Sequence, residues 1–548
     1  MSKIRIFSCG GQNEVGKNMY VIEVDNDIFI FEAGLKYADD KLLGVDYIIP
    51  NFEYLKENKE RIKGIFITHG HDSQIGALSD VLEELPDINI YCGRFTLEMI
   101  KQDLVEEGIE HSNLIELKPH KRVDFESASI FPIQVSHSLP DSYLYVLSTK
   151  DGNIVFSGNY LFDPEMVGPY STDIGKLAYI GKQGVLCLMN ESMYSDKPGF
   201  TTPNHRVSNM ISTTLSENPG RILINIFETQ IFRIQELFNV VMKTDRNVVI
   251  LGKSLEELIK RGIELGYIDF DIDRLKSISH VNDEGIIVII SNDREKPYSS
   301  LKRILRNSDK FITLTESDTV MMLSPTYEGT EITATSIFNK IASLGSNLVL
   351  LPKKSLSLHA SSEDLMLMIN LMKPKYYLPI IGEYRHQAEN AILAKKLGIE
   401  ESNILLKLNG EVTTFIDGKL VNDDEKIKVD EVLIDGKTIG DVGDLVLKDR
   451  EMLSDSGIVI VDVNIDKTTR TIINKPNIVT KGFIYVKDNI DMIKESENIV
   501  SEIVNNYVKE NYIDYNKIKM EIREKLGKYY YKETECKPMI IIVVQEII

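Results

Sequence analysis

The sequence predicts a multidomain α/β protein, and three observations carry that expectation. The chain has 548 residues, more than one hydrophobic core ordinarily holds, so roughly two to four domains are expected. About the first 200 residues alternate short β-branched runs with polar turns, as strands of stacked sheets do. Beyond Thr202-Pro203 longer helices alternate with single strands, which predicts a parallel sheet in a separate domain.

In the first block the expected strands are Met19–Val24, Ile28–Glu32, Ile65–Thr68, Ile88–Cys92, Ser129–Val135, Tyr143–Ser148, Ile154–Ser157 and Val185–Met189. Helices are expected between them at Leu78–Leu85 and Phe95–Glu107. The second block sets helix Val207–Glu217 before strand Arg221–Phe227, and helix Ile231–Lys243 before strand Asn247–Leu251 and helix Leu255–Leu265. It runs to about Gly345. Strand Leu348–Leu351, helix Ser362–Lys373, strand Tyr376–Ile381 and a helix around Gln387–Leu397 come next. Residues Asp417–Asp449, rich in Asp, Lys and Gly, read as a connector. The last block has strands Gly457–Val463 and Thr471–Ile473, helices Ile490–Val508 and Tyr515–Tyr530, and the strand Pro538–Val544. That is a compact α/β domain of about 100 residues.

Composition narrows the function. Hydrophobic residues make up 43% and charged residues 27%, as in globular proteins. The N-terminal stretch lacks the apolar core of a signal peptide, and no run of roughly 18 apolar residues occurs, so no membrane association is expected. Four scattered cysteines form no CxxC pair and read as isolated thiols in a reducing cytoplasm. The net charge of −20 argues against unspecific coating of nucleic acid. Basic residues do gather at Lys353-Lys354, at Lys373 and Lys375, and at Arg385, and the sequence leaves open whether these sets meet.

The chemistry-bearing motif is THGHDSQIGA, Thr68–Ala77, directly after an apolar strand. Two histidines one residue apart at a strand end can reach one metal ion, and imidazole suits zinc. An isolated HxH is weak evidence. Here it is preceded by GGQNEVGKNMYVIEV and FEAGLKYADDKLLGVDYIIP and followed by HSLPDS at His137–Ser142, SGNYLFD at Ser157–Asp163, GRILINIFETQIFRIQ at Gly220–Gln235, LGKSLEELIKRGIELGYI at Leu251–Ile268, IIGEYRH at Ile380–His386, SGIVIVDV at Ser456–Val463 and KGFIYV at Lys481–Val486. In this order the segments resemble the ribonuclease J family, in particular its divergent second paralogue with a degenerate active site.

The resemblance implies a metallo-β-lactamase αββα sandwich with an inserted β-CASP domain and a small C-terminal α/β domain. The expected boundaries are 1–203 and 348–425 for the two parts of the sandwich, 204–347 for the insert, 426–450 for a linker and 451–548 for the C-terminal domain. Members of the family are cytoplasmic ribonucleases that use two metal ions on RNA, acting from the 5′ end and internally, and they commonly form dimers through the C-terminal region.

Carried over residue by residue, the family's ligand set is eroded. His69, His71 and His137 match ligand histidines. Ser73 stands where an Asp belongs, Gln74 where a His belongs, Asn159 where the bridging Asp belongs and Ile381 where the final His belongs, leaving three of seven ligands. Neutral amides bind hard cations weakly, and Ile381 binds none. Asp72 is one residue out of register, and Glu32 and Phe232 replace a family Asp and His. No dinuclear site is expected. The histidines either hold one weak zinc or are remnants in a metal-free pocket, the reading favoured here. The phosphate-binding HxSGH stretch of the family appears as SLSLH, keeping Ser355, Ser357 and His359 as candidate RNA contacts. The same stretch also reads as a plain loop before a helix capped by Ser361 or Ser362.

The resulting expectation is a weakly active or inactive subunit in RNA processing and decay, binding RNA and assembling as a homodimer or with an active paralogue. The alternatives are a metal-dependent ribonuclease in its own right and an RNA-binding module without catalysis.

Overall fold

The computed structural model describes the chain apart from residues 1, 39–41, 292–297, 327–329, 422–423, 437, 440–443, 486–488, 510–512 and 548. Val486 of the KGFIYV motif and part of the expected linker lie outside the described residues. Two compact units are present: Met1–Tyr37 with Tyr47–Val432, and Ala38–Asp46 with Leu433–Ile548.

The first unit is built on two stacked sheets. One runs, edge to edge, Lys419–Val421, Thr413–Ile416, Lys3–Gly10, Met19–Val24, Asp27–Phe31, Ile62–Phe66, Ile90–Cys92 and Leu114–Glu116. The other runs Tyr376–Ile380, Val185–Glu191, Gly152–Phe156, Tyr143–Thr149, Ser129–Gln134 and Val123–Asp124. Between them Ile4, Ile6, Tyr20, Phe29, Phe31 and Phe66 meet Tyr143, Tyr145, Phe156, Met189 and Ile380. The alternate residues Leu144, Val146, Val155 and Leu188 turn outward, where helices Ile174–Gln183, Ser362–Met372 and Tyr384–Lys396 cover them. Burial on both faces is why these strands read as nearly continuous apolar runs. On the far side Tyr54 of helix Glu53–Glu57 stands edge-on to Phe7, 5.3 Å between ring centroids. The expected αββα sandwich is present.

The insert is a six-stranded sheet ordered Leu275–Lys276, Val248–Leu251, Ile287–Ser291, Ile222–Ile226, Thr319–Met322 and Asn347–Leu350. Every pairing in it is parallel, as the helix–strand alternation predicts. Leu348 pairs with Val320, so Asn347–Leu350 is an edge strand of this sheet, and the boundary expected at 347/348 falls inside it. Thr413–Ile416 and Lys419–Val421 extend the first sheet into the expected connector, and helix Asp444–Ser456 begins within the expected linker.

In the second unit, strand Ile458–Asp466 pairs antiparallel with Asn477–Lys481 and parallel with Met539–Ile547. Its Val459, Val461, Val463 and Ile465 pack on Val500, Ile503 and Val504 of helix Ile490–Tyr507 and on Ile518, Ile522 and Leu526 of helix Tyr515–Thr534.

Candidate metal centre

The side chains singled out by sequence converge at the ends of the sandwich strands. His69 and His71 follow Ile62–Phe66, His137 follows Ser129–Gln134, Asn159 follows Gly152–Phe156, and Ile381 follows Tyr376–Ile380. The three histidine rings stand 4.6 Å (His69–His71), 4.5 Å (His69–His137) and 5.0 Å (His71–His137) apart between centroids. Their nearest ligand nitrogens all lie within 4.8 Å of one another.

The second contact of each ring fixes how it presents itself. His137 Nδ1 lies 2.7 Å from the Leu358 carbonyl oxygen. A carbonyl only accepts, so Nδ1 carries the hydrogen and Nε2 keeps a lone pair. His69 Nδ1 lies 2.8 Å from Thr68 Oγ1, which donates to Glu32 Oε1 at 2.5 Å, while the Thr68 amide donates to Glu32 Oε2 at 3.2 Å. With Glu32 ionised, the ring must donate to Thr68, and Nε2 is bare. Burial pushes Glu32 up to about 8, toward its neutral form, and a cation held by the ring would oppose that shift and favour this arrangement. His71 Nε2 meets Ser138 Oγ at 2.8 Å, and the Thr229 backbone also engages the ring.

Nε2 of His69 and of His137 are buried without a hydrogen-bond partner among the described residues. Buried polar atoms rarely stay unpaired. Burial, with the neighbouring histidines, holds the rings of His69 and His137 below the usual imidazole range and His71 down to about 3. These are neutral imidazoles, the form zinc takes. Two orphaned nitrogens and a third ring fit one zinc with water in the fourth position.

The remaining ligand positions do not fit a second ion. Ser73 Oγ donates to Gln74 Oε1 at 2.6 Å, Gln74 Nε2 to Asn159 Oδ1 at 3.1 Å, and Asn159 Nδ2 to Glu191 Oε2 at 2.8 Å. The amides are engaged in bonding one another. Ile381 is buried, with a left-handed φ of 54° that β-branched residues avoid. Its amide donates to the Tyr20 hydroxyl and its carbonyl accepts from the Ser192 amide. The bend survives although the side chain there is apolar. Asp72 accepts from the Tyr37 hydroxyl at 2.6 Å, and Gly34 is needed where a Cβ would lie 1.7 Å from the Ser73 carbonyl oxygen.

The SLSLH segment runs alongside. Leu358 is the residue whose carbonyl holds His137. His359 Nδ1 lies 3.1 Å from Glu191 Oε2, and its ring centroid is 5.7 Å from that of His137. Ser357 offers its amide to the Tyr194 hydroxyl at 3.4 Å, and Ser355 donates its amide to the Pro352 carbonyl at 2.8 Å. The reading of the segment as a loop before a capped helix holds, because Ser361 caps helix Ser362–Met372 in a reciprocal box with Asp364. Sequence reasoning missed Glu191, a fully buried carboxylate that accepts from Asn159 Nδ2 and the Tyr160 and Ala360 amides. Its signal was a lone acid closing the apolar run VLCLMNE. Phe232 packs edge-on to Tyr170 at 5.3 Å.

A separate cavity of about 370 Å³ is lined by Asp72, Asp103, Glu106, Glu107 and Glu228 and by none of the three histidines. Of the basic sets, Lys375 donates to the Gly418 carbonyl and Arg385 pairs with Glu383, while Lys353 and Lys354 are exposed.

Stacked sheets with histidines at their strand ends, interrupted by a parallel-sheet insert, define the metallo-β-lactamase class of β-CASP proteins. The chain matches the metallo-beta-lactamase superfamily over residues 13–186 and the ribonuclease J beta-CASP domain over 219–341. It matches the Zn-dependent metallo-hydrolase RNA specificity domain over 353–404 and the ribonuclease J C-terminal domain over 445–547. It is 35% identical to ribonuclease J 2 of Staphylococcus aureus (strain MRSA252) over 99% of this chain and 98% of that protein. To ribonuclease J2 of Bacillus subtilis (strain 168) it is 34% identical over 99% of both. A solved structure of a protein of unknown function from Enterococcus faecalis V583 shares the fold, with a TM-score of 0.53 at 14% identity, covering 76% of this chain and all of that one. The chain belongs to the ribonuclease J family. No described helix is long and apolar enough to cross a membrane.

Proposed function

We propose that this chain is an RNA-processing subunit of the ribonuclease J type that binds at most one zinc, weakly, and hydrolyses RNA slowly or not at all on its own. The observation that carries this is the hydrogen-bonded row Ser73–Gln74–Asn159–Glu191, which occupies the second ion's ligand positions with neutral amides. Two-ion phosphodiester hydrolysis needs paired charges on the attacking and leaving oxygens. A single zinc on His69, His71 and His137 supplies Lewis-acid charge but no clamp for the leaving group. The protein's own contribution is positional. Leu358 and Thr68 orient two of the rings, and Ser355, Ser357 and His359 are assigned as the phosphate contacts of this reading.

The domain partition argued from sequence, a cytoplasmic location, and assembly with itself or with an active paralogue belong to the same reading. Relatives named ribonuclease J 2 match it along their full length. The test uses 5′-monophosphorylated RNA with the purified chain in zinc- and manganese-supplemented buffer. Binding is expected with little hydrolysis. Ser357→Ala together with His359→Ala should weaken binding roughly thirtyfold, on the order of one kcal/mol per lost phosphate contact. Robust turnover abolished by His69→Ala would favour the second reading, a metal-dependent ribonuclease, which the intact three-histidine cluster keeps open.

A further inference from the structure

Arg233 is a fully buried arginine in the apolar helix Ile231–Val241, and the chemistry described so far does not use it. Burial pushes its guanidinium down to about 10, and no carboxylate lies within ion-pair distance of it among the described residues. It donates instead to three backbone carbonyls: Leu323 at 2.7 Å, Leu356 at 2.7 Å and His205 at 3.5 Å. These belong to three different pieces of chain. Leu323 directly follows the insert's own strand Thr319–Met322. His205 lies on the connection leading into the insert, and Leu356 on the connection leading out. A planar fork with five donors suits such a junction, and a lysine could not span it.

The two connections also hold the histidines. Leu358, two residues beyond Leu356, accepts from His137 Nδ1 at 2.7 Å. On the other side, the Phe232 amide, next to Arg233, donates to the Ser138 carbonyl at 2.9 Å, and Ser138 Oγ meets His71 Nε2 at 2.8 Å. The Thr229 backbone just before this helix engages His71 as well. His71 is therefore held from the helix that carries Arg233, and His137 from the loop that Arg233 grips.

We propose that Arg233 is the positioning residue of the three-histidine centre, setting the separation of His71 and His137 by tying the insert's helix to its outgoing connection. It touches no reacting atom. The inference rests on the reading of that cluster as a metal site. It makes the insert's docking and metal affinity one linked equilibrium, in which each must favour the other. Glu236, three residues on, serves as the internal control. It accepts from Ser208 Oγ at 2.7 Å and from the Val207 amide at the start of helix Ser208–Glu217, and among the described residues it acts on Arg233 through its charge, with no hydrogen bond to it.

The test is cobalt(II) titration followed by visible absorption, with zinc competition, on the full chain and its Arg233→Lys, Arg233→Met and Glu236→Gln variants, each with a melting curve of the metal-free protein. Arg233→Lys and Arg233→Met are expected to bind cobalt at least tenfold more weakly with an altered absorption band. Glu236→Gln is expected to melt earlier but to bind as the parent does. Equal cobalt affinity and spectrum in a folded Arg233 variant would overturn the inference while leaving the metal reading intact. Failure of the parent chain to bind cobalt or zinc would overturn the metal reading itself. Should both Arg233 variants misfold, hydrogen exchange on the parent chain decides. Zinc is expected to slow exchange in residues 229–235 and 354–360 together, and protection confined to residues 68–72 and 136–139 would refute the coupling.

Discussion

His137 shows what one side chain contributes here. A backbone carbonyl accepts its Nδ1 hydrogen, so its other nitrogen keeps a lone pair and is buried without a partner among the described residues. HxH spacing made His69 and His71 legible, and the HSLPDS match made His137 legible. Leu358 was not, because a carbonyl acceptor has no letter in the sequence. Asp80 carries a separate, measurable consequence of burial. Burial, with Glu83 and Glu107 nearby, raises its carboxyl from 3.8 to about 6, and the Tyr47 hydroxyl at 3.4 Å only partly offsets this. The unfolded chain then loses this proton near 3.8 and the folded chain near 6. The contribution to stability is therefore fully present below 3.8 and falls away as pH rises to 6, by at most about 3 kcal/mol. Asp80→Asn is expected to match the parent near pH 4 and to melt higher at pH 7. Parallel melting-versus-pH curves for the two proteins would contradict the assignment.

At the scale of elements, periodicity located most strands and helices to within a few residues, since runs such as YLYVLST and VLCLMNE are buried on both faces. Edges were harder. Asn347–Leu350 could be assigned to the insert only through its pairing with Thr319–Met322, a contact set by the tertiary fold. The C-terminal sheet has a further property visible only in three dimensions. Alternate residues of Ile458–Asp466 pack on two helices, while the opposite face carries Ile458, Ile460, Val479 and Ile541, the last two each 42% exposed. An apolar face of this kind is stabilised by burial against another surface, at roughly 25 cal/mol per Å². On the proposed reading of the chain as an assembling subunit, this face contributes to self-association. Light scattering should find the full chain dimeric or larger and a chain ending at residue 443 smaller. Monomers in both cases at micromolar concentration would refute this.

On the scale of the whole molecule, the sandwich and insert of the ribonuclease J family are present, and the positions the resemblance assigns to a second ion carry neutral side chains. The sandwich, the insert and the C-terminal unit are all present, and Ile381 still adopts the left-handed bend at its strand end. Between Ser73 and Glu191 neutral side chains satisfy one another without an ion. The histidine cluster, in contrast, keeps two buried nitrogens without a partner among the described residues. On the proposed reading the chain therefore holds at most one ion, at the three histidines. The most direct measurement is zinc stoichiometry by native mass spectrometry after loading with excess zinc and exchange into metal-free buffer. At most one zinc per chain is expected, and none in His69→Ala. Two tightly retained ions per chain would contradict the account.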